Sequence, residues 1–145
     1  MNDNDARLTR VYTALTDSTV EESTPNMPDV GEPPDTDFDL FVEAAAGNNV
    51  GSSSTPYTLT ITGVNVSKQV VVPQLSSVSN QAFNANPGND WVDSGDDKVK
   101  TQRLTFNLPL KAPNAPNDLY RFYVSLVTPN FQIATFAESN LFILL

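Results

Sequence analysis

The sequence predicts an all-β fold, an immunoglobulin-like two-sheet antiparallel sandwich of about seven strands preceded by an N-terminal arm. Apolar and polar residues alternate in short segments from Phe38 to the end of the chain, which is typical of strands with one buried face. Turn-forming Gly, Pro, Asn and Ser residues separate these segments, and 145 residues suit one domain. Because the chain has no cysteine, it lacks the disulfide of true immunoglobulin domains, and the comparison covers architecture only.

Residues 1–37 are predicted to form an arm and an acidic, Pro-rich linker ahead of a β-sandwich domain, residues 38–145. Within the arm, four apolar residues recur at helical spacing and favour a short helix: Leu8, Val11, Tyr12 and Leu15. The alternative is a strand, because residues 7–13 also alternate and include β-branched side chains. Residues 17–37 are rich in Pro, Ser, Thr, Asp and Glu, a composition that predicts a linker.

The first half of the domain begins with clear strand patterns that then weaken. Apolar residues alternate with acidic ones around Phe38 and Leu40, and residues 57–62 alternate between apolar side chains and threonine. Gly63 interrupts the second pattern, which indicates a bulge or a bend. Residues 68–72 predict a short strand that ends at a proline, and residues 74–97 predict long loops around one or two short strands.

Clear alternation returns in the last third of the chain. Residues 102–110 predict a strand with its apolar side chains on one face: Leu104, Phe106, Leu108 and Leu110. Residues 112–117 predict a Pro-rich turn. Residues 119–127 are apolar on both faces, which is typical of a central strand covered on both sides. Residues 131–136 predict a returning hairpin strand after a Pro-Asn turn, and residues 141–145 predict a last strand.

The charge of the chain limits its partners. The net charge is −9, and residues 11–67 contain no Lys or Arg. Such a surface repels phosphate backbones and anionic lipids, so we expect neither nucleic acid nor a membrane as a partner. The acidic start of the chain does not resemble a signal peptide, and no apolar run approaches the ~18 residues of a membrane span. These features predict a chain made soluble in the cytoplasm, with its final compartment left open.

The chain has no histidine and no cysteine. These residues supply most general bases near neutral pH, most thiolate nucleophiles and most transition-metal ligands. The composition therefore predicts a non-enzymatic protein without a cofactor.

One acidic cluster is a candidate cation site. Asp35, Asp37 and Asp39 lie at alternate positions, so an extended strand places their carboxylates on one face about 7 Å apart, a grouping that suits Ca²⁺. Leu40 and Ala46 stand where a helix-loop-helix calcium site needs Gly and Glu, which excludes that motif. The favoured interpretation is a solvated strand face.

A second acidic cluster surrounds the single tryptophan. Trp91 is followed by three carboxylates that would suit a sugar ring stacked on the indole: Asp93, Asp96 and Asp97. The favoured interpretation places Trp91 in the core, since a lone tryptophan in a small sandwich usually packs between the sheets.

These observations predict a structural or interaction module, a repeated subunit or decoration protein of a larger assembly such as a virion, filament or surface array. Its partners would be proteins, first of all copies of itself. The arm would contact a neighbouring subunit through Leu8, Val11, Tyr12 and Leu15, or else pack on its own body. The alternative function is a carbohydrate- or Ca²⁺-binding module, and the third is a cofactor-free small β enzyme.

Overall fold

The computed structural model describes residues 1–84, 91–107, 118–129 and 132–145. The described residues form nine strands and one short helix, α1 (Asn48–Gly51). The strands are β1 (Ala6–Ala14), β2 (Asp37–Gly47), β3 (Pro56–Asn65), β4 (Val70–Ala82), β5 (Val92–Ser94), β6 (Asp97–Asn107), β7 (Leu119–Val127), β8 (Ala134–Glu138) and β9 (Phe142–Ile143).

The strands form two antiparallel sheets in a sandwich-like arrangement, which confirms the all-β prediction. The first sheet has the order β1-β2-β6-β5. The second has the order β4-β3-β7-β8, and β9 also pairs with β7. Strand β4 lies at one edge of the second sheet.

One hydrophobic core joins the two sheets. Strand β2 contributes Phe38 and Leu40, strand β7 contributes Phe122, and all three side chains are fully buried. The ring of Phe38 lies 6.1 Å from that of Phe122 and 5.6 Å from that of Phe142. Aromatic packing across the sandwich therefore holds the sheets together.

The N-terminal segment is a strand, so the helix prediction was wrong and the strand alternative is confirmed. Strand β1 pairs antiparallel with β2, with Leu8 opposite Ala44 and Val11 opposite Val42. The register shifts between Leu8 and Arg10, which is a β-bulge. The extra residue turns Leu8 and Val11 to the same buried side, and this produces helical spacing within a strand.

Strand β4 corrects two further predictions. It continues through Pro73 to Ala82, where the sequence predicted a strand end followed by loops. Proline is tolerated because β4 is an edge strand. The bulge predicted at Gly63 is confirmed, because the register between β3 and β4 shifts between Ile61 and Gly63. The buried side chain of Leu75 packs over Gly63. A Cβ atom on Gly63 would clash with Leu75.

Strand β7 has the predicted bounds but not the predicted burial. It lies between β3 and β8 and buries Phe122, Val124 and Leu126, while Tyr123 is 42 % exposed. The prediction of a strand covered on both faces was therefore wrong. Leu108, Leu110, the turn predicted at 112–117 and Phe131 lie outside the described residues.

The predicted linker is held against the body by backbone and side-chain hydrogen bonds. Thr13 Oγ1 donates to the carbonyl oxygen of Glu22 at 2.7 Å, and the Ile143 amide donates to the carbonyl oxygen of Ser23 at 2.8 Å. The side chain of Asn26 is fully buried. The boundary drawn at residue 37 stays a prediction, while β1 contributes Leu8 to the common core. No helix in the described segments is long and apolar enough to cross a membrane.

Candidate functional site

The acidic triple of the predicted cation site is split between different environments. Asp35 is exposed, whereas Asp39 is only 2 % exposed, so the prediction of a solvated face was wrong at Asp39. Its carboxylate forms an ion pair with Arg103, whose Nε lies 2.9 Å from Oδ2, and accepts a hydrogen bond from Thr105 Oγ1 at 2.7 Å. Asp37, which lies between Asp35 and Asp39 in the sequence, is half-buried. Within the described ranges, no three acidic side chains are grouped closely enough to hold a metal ion.

Trp91 packs in the core, which confirms the favoured interpretation and removes the stacking platform for a sugar. It is 4 % exposed, with ring centroids 5.0 Å from Phe83 and 6.3 Å from Tyr57. Of the acids that follow it, Asp93 lies in β5, Asp96 in the turn between β5 and β6, and Asp97 at the start of β6. Asp93 forms an ion pair with Lys98, while Asp96 and Asp97 line an open polar depression of about 600 Å³ beside Asp3 and Asn48.

The predicted subunit contacts lie within the fold of a single chain. Leu8 and Val11 belong to the main core, and Leu15 is half-buried. Tyr12 stacks on Phe41 at 5.1 Å, with the guanidinium of Arg10 3.9 Å from its ring centroid. These contacts are those of an arm packed on its own body, and exchange of the arm between chains stays a prediction.

The outer surface of the second sheet brings together residues that were not predicted as a site. We call it the neutral face and define it by the outward side chains of β3, β7 and β8: Thr58, Thr60, Thr62, Tyr123, Ser125 and Phe136. Strand register aligns them in rows, with Thr62 opposite Tyr123 and Thr60 opposite Ser125, which lies opposite Phe136. The alternate residues of the same strands point into the core.

The neutral face is nearly free of charge in a strongly acidic chain. Of all the charged residues, only Arg121 and Glu138 lie in the strands of this sheet. They pair with each other at 3.7 Å, and Arg121 Nε also donates to the carbonyl oxygen of Ser139 at 3.1 Å. The four strands of the other sheet carry ten charged side chains. The two sheets therefore present surfaces of very different character.

A shallow groove crosses the neutral face. It has a volume of about 500 Å³, and Phe136 and Tyr123 on its walls are 73 % and 42 % exposed. The hydroxyls of Thr60, Thr62 and Ser125 line the same groove. Two exposed aromatic rings beside a row of hydroxyls can bury apolar surface and form hydrogen bonds with a partner at the same time.

The neutral face has a signature in the sequence, namely long segments without charge. No charged residue occurs at positions 44–67, 69–89 or 122–137, which include all of β3 and β4 and most of β7 and β8. Charged residues usually occur on the solvent-facing side of an antiparallel sheet. Long uncharged segments that still alternate in hydropathy indicate a sheet with one buried face and one neutral face.

Comparison with models of known protein families gives no match, and a search of curated proteins finds no significant relative. The chemistry of the neutral face therefore carries the functional interpretation.

Proposed function

We propose that this chain is a non-enzymatic interaction module built on an immunoglobulin-like sandwich, and that it is a repeated subunit or decoration protein of a larger assembly. Its partner at the neutral face is a second copy of the chain. The observation that carries the proposal is the nearly uncharged outer surface of the β3-β7-β8 sheet, whose strands carry a single ion pair, Arg121–Glu138. Tyr123 and Phe136 are exposed on this surface, in a chain of net charge −9.

Charge favours another copy at this face. Two copies with a net charge of −9 repel each other over most of their surfaces. Repulsion is weakest where the neutral face of one copy meets that of another, because its one basic and one acidic group already form an ion pair. A nucleic acid or an anionic membrane would need several unpaired Lys or Arg residues. In the strands of this sheet, Arg121 is the single basic residue.

The size of the face favours an assembly over an isolated dimer. Three strands spaced about 4.8 Å apart and a rise of about 3.3 Å per residue along β3 give a face of roughly 450 Å². A stable pairwise interface buries about 800 Å² on each partner. One such contact is weak, but contacts repeated within an array reinforce each other through effective concentration.

The experiment places charge on the neutral face of the full chain. The double variant Tyr123→Lys/Phe136→Lys changes two exposed side chains, so we expect the wild-type circular dichroism spectrum and weaker self-association than the wild type in sedimentation velocity. The matched control is Val92→Lys, which alters a strand residue of the other sheet that is 57 % exposed. The control should associate as the wild type does. A double variant that folds and associates as strongly as the wild type would refute the proposal.

A further inference from the structure

The edge strand β4 is a second surface of the same sheet that can associate with another chain. With 13 residues, β4 is the longest strand in the described part of the chain, and it pairs only with β3. The opposite edge strand, β8, has five residues and lies against β1, where the Leu8 amide donates to Thr135 Oγ1 at 3.1 Å. The edge strand β5 of the other sheet has three residues. Among the described residues, β4 is therefore the longest edge strand. Near its end the side chain of Gln81 contacts β6, where it donates to Gln102 Oε1 at 3.1 Å and accepts from Lys100 Nζ at 3.0 Å.

The second half of β4 lacks the features that usually protect an edge. Charged side chains, prolines and bulges prevent edge strands from pairing with other chains. In β4, Pro73 and the register shift affect the first half. Residues 77–82 stay in unbroken register with β3, from Ser77 opposite Ile61 to Ala82 opposite Pro56, and none is charged or a proline. Val78 is 69 % exposed.

The backbone of this segment can form a ladder on its outer side. In an antiparallel edge strand, every second residue directs its N–H and C=O groups away from the existing neighbour. Residues 77–82 therefore offer the groups for about six hydrogen bonds to a strand of equal length. An uncharged segment in unbroken register is a template for strand addition.

We propose that residues 77–82 of β4 pair antiparallel with the same segment of a second copy, about a two-fold axis, and form one continuous sheet across the two chains. Two-fold antiparallel pairing sets the segment against itself, and the absence of charge on the segment favours a copy as the occupant. The segment is uncharged, so no like charges oppose each other in a pair of strongly acidic chains.

Edge pairing has a consequence for the assembly. It places the neutral faces of two copies side by side on one extended sheet, which doubles the area available for contact with a further pair. Since each neutral face alone has only about half the area of a stable interface, edge pairing supplies the missing contact. This inference rests on the proposed function, in which copies of the chain associate. It adds a second contact in a different direction.

The first test measures backbone protection in the full chain. Hydrogen exchange of the peptide covering residues 77–82 is followed by mass spectrometry at low and high protein concentration. We expect protection of this peptide to increase with concentration, because the outward amides become hydrogen-bonded. Contact through the neutral face alone would leave those amides exchanging freely. Unchanged protection of residues 77–82 over the concentration range would overturn the inference.

The second test uses complementary charges. One variant carries Val78→Lys and Asn80→Lys, and the other carries Val78→Glu and Asn80→Glu. Each alone should associate about tenfold more weakly than the wild type, because like charges then face each other across the two-fold axis. The mixture should restore association and the protection of residues 77–82. If the mixture restores neither, β4 does not pair with itself.

Each of the two proposals can be refuted without refuting the other. If Tyr123→Lys/Phe136→Lys lowers the association while residues 77–82 show no protection at any concentration, the neutral face is a contact and the edge is not. If that double variant associates as strongly as the wild type and the protection of residues 77–82 still increases with concentration, edge pairing holds and the neutral face is not a contact.

Discussion

The side chain of Asn26 forms hydrogen bonds with both backbone groups of Leu145. Its Oδ1 accepts a hydrogen bond from the Leu145 amide at 2.9 Å, and its Nδ2 donates to the Leu145 carbonyl oxygen at 3.1 Å. The backbone carbonyl of Asn26 also accepts from the Asp35 amide at 3.1 Å. One fully buried side chain therefore joins the Pro-rich segment to the last residues of the chain. A segment whose composition predicts a linker is in this way fixed to the sandwich.

The first prediction concerns this junction. Asn26→Ala should lower the free energy of unfolding by about 2–3 kcal/mol, because the Leu145 backbone groups lose two hydrogen bonds in a partly buried site and the buried Asn26 side chain leaves a cavity. Urea unfolding measures the loss. The matched control is Asn49→Ala, because the Asn49 amide makes an exposed hydrogen bond to Asn4 Oδ1 at 3.3 Å. The control should lose less than about 0.5 kcal/mol. Equal losses in both variants would contradict the structural role of Asn26.

The second prediction concerns the buried carboxylate of Asp39. Arg103→Gln removes its cationic partner and should cost about 2 kcal/mol, below the usual loss for a fully buried pair because Arg103 is 42 % exposed. Thermal or urea unfolding gives the value. Glu21→Gln, which breaks an ion pair with both side chains about half exposed, should change the stability by less than about 0.5 kcal/mol. A loss of the same size for Glu21→Gln would show that burial of Asp39 does not matter.

The third prediction concerns the close contact that shapes β4. A Cβ atom on Gly63 would lie 2.7 Å from the backbone oxygen of Leu75, so Gly63→Ala should lower the stability by about 1–3 kcal/mol through overpacking. The control is Ser94→Ala, which changes an exposed side chain at the end of β5 and should alter the stability by less than about 0.5 kcal/mol. Chemical unfolding of both variants compares them. If Gly63→Ala leaves the free energy of unfolding unchanged, β4 does not pack over β3 at this position.

The fourth prediction concerns alkaline pH. Burial raises the pKa of Tyr12 above its ordinary value of 10.0, and the nearby Glu43 carboxylate raises it further. Burial and then Asp118 likewise raise the pKa of Tyr120. Both groups ionise more readily in the unfolded chain. Their stabilising contribution is therefore complete below pH ~10 and is lost as the pH rises through the folded-state values.

Urea unfolding at several pH values above ~10 tests this dependence. Tyr12→Phe and Tyr120→Phe should each reduce the fall in stability with pH, and the double variant should reduce it most. A fall that is unchanged in the double variant would contradict the assignment to these two tyrosines.

The sequence predicted the strands whose alternation is regular and missed those whose geometry is irregular. Strand β7 was predicted with the correct bounds because residues 119–127 form a mostly apolar run between two Pro-containing turn segments. Strand β1 resembles a helix because its bulge brings Leu8 and Val11 to one side at a spacing of three residues. Strand β4 was predicted to end at Pro73, since the sequence does not show that the strand lies at a sheet edge, where proline is tolerated.

Several features of the candidate site likewise could not be predicted without the tertiary structure. Asp39 reads as an exposed residue, and it is buried because Arg103 and Thr105 on the neighbouring strand β6 satisfy its carboxylate. That pairing links residues more than 60 positions apart and has no local signature. The neutral face has a sequence signature in its uncharged segments. Only strand register shows that Tyr123 and Phe136 border one groove.

Self-association is the central claim, and sedimentation equilibrium of the full wild-type chain tests it most directly. We predict that the weight-average mass rises with protein concentration above the 15.8 kDa of a single chain. A mass that stays at 15.8 kDa over the whole accessible concentration range would contradict the account.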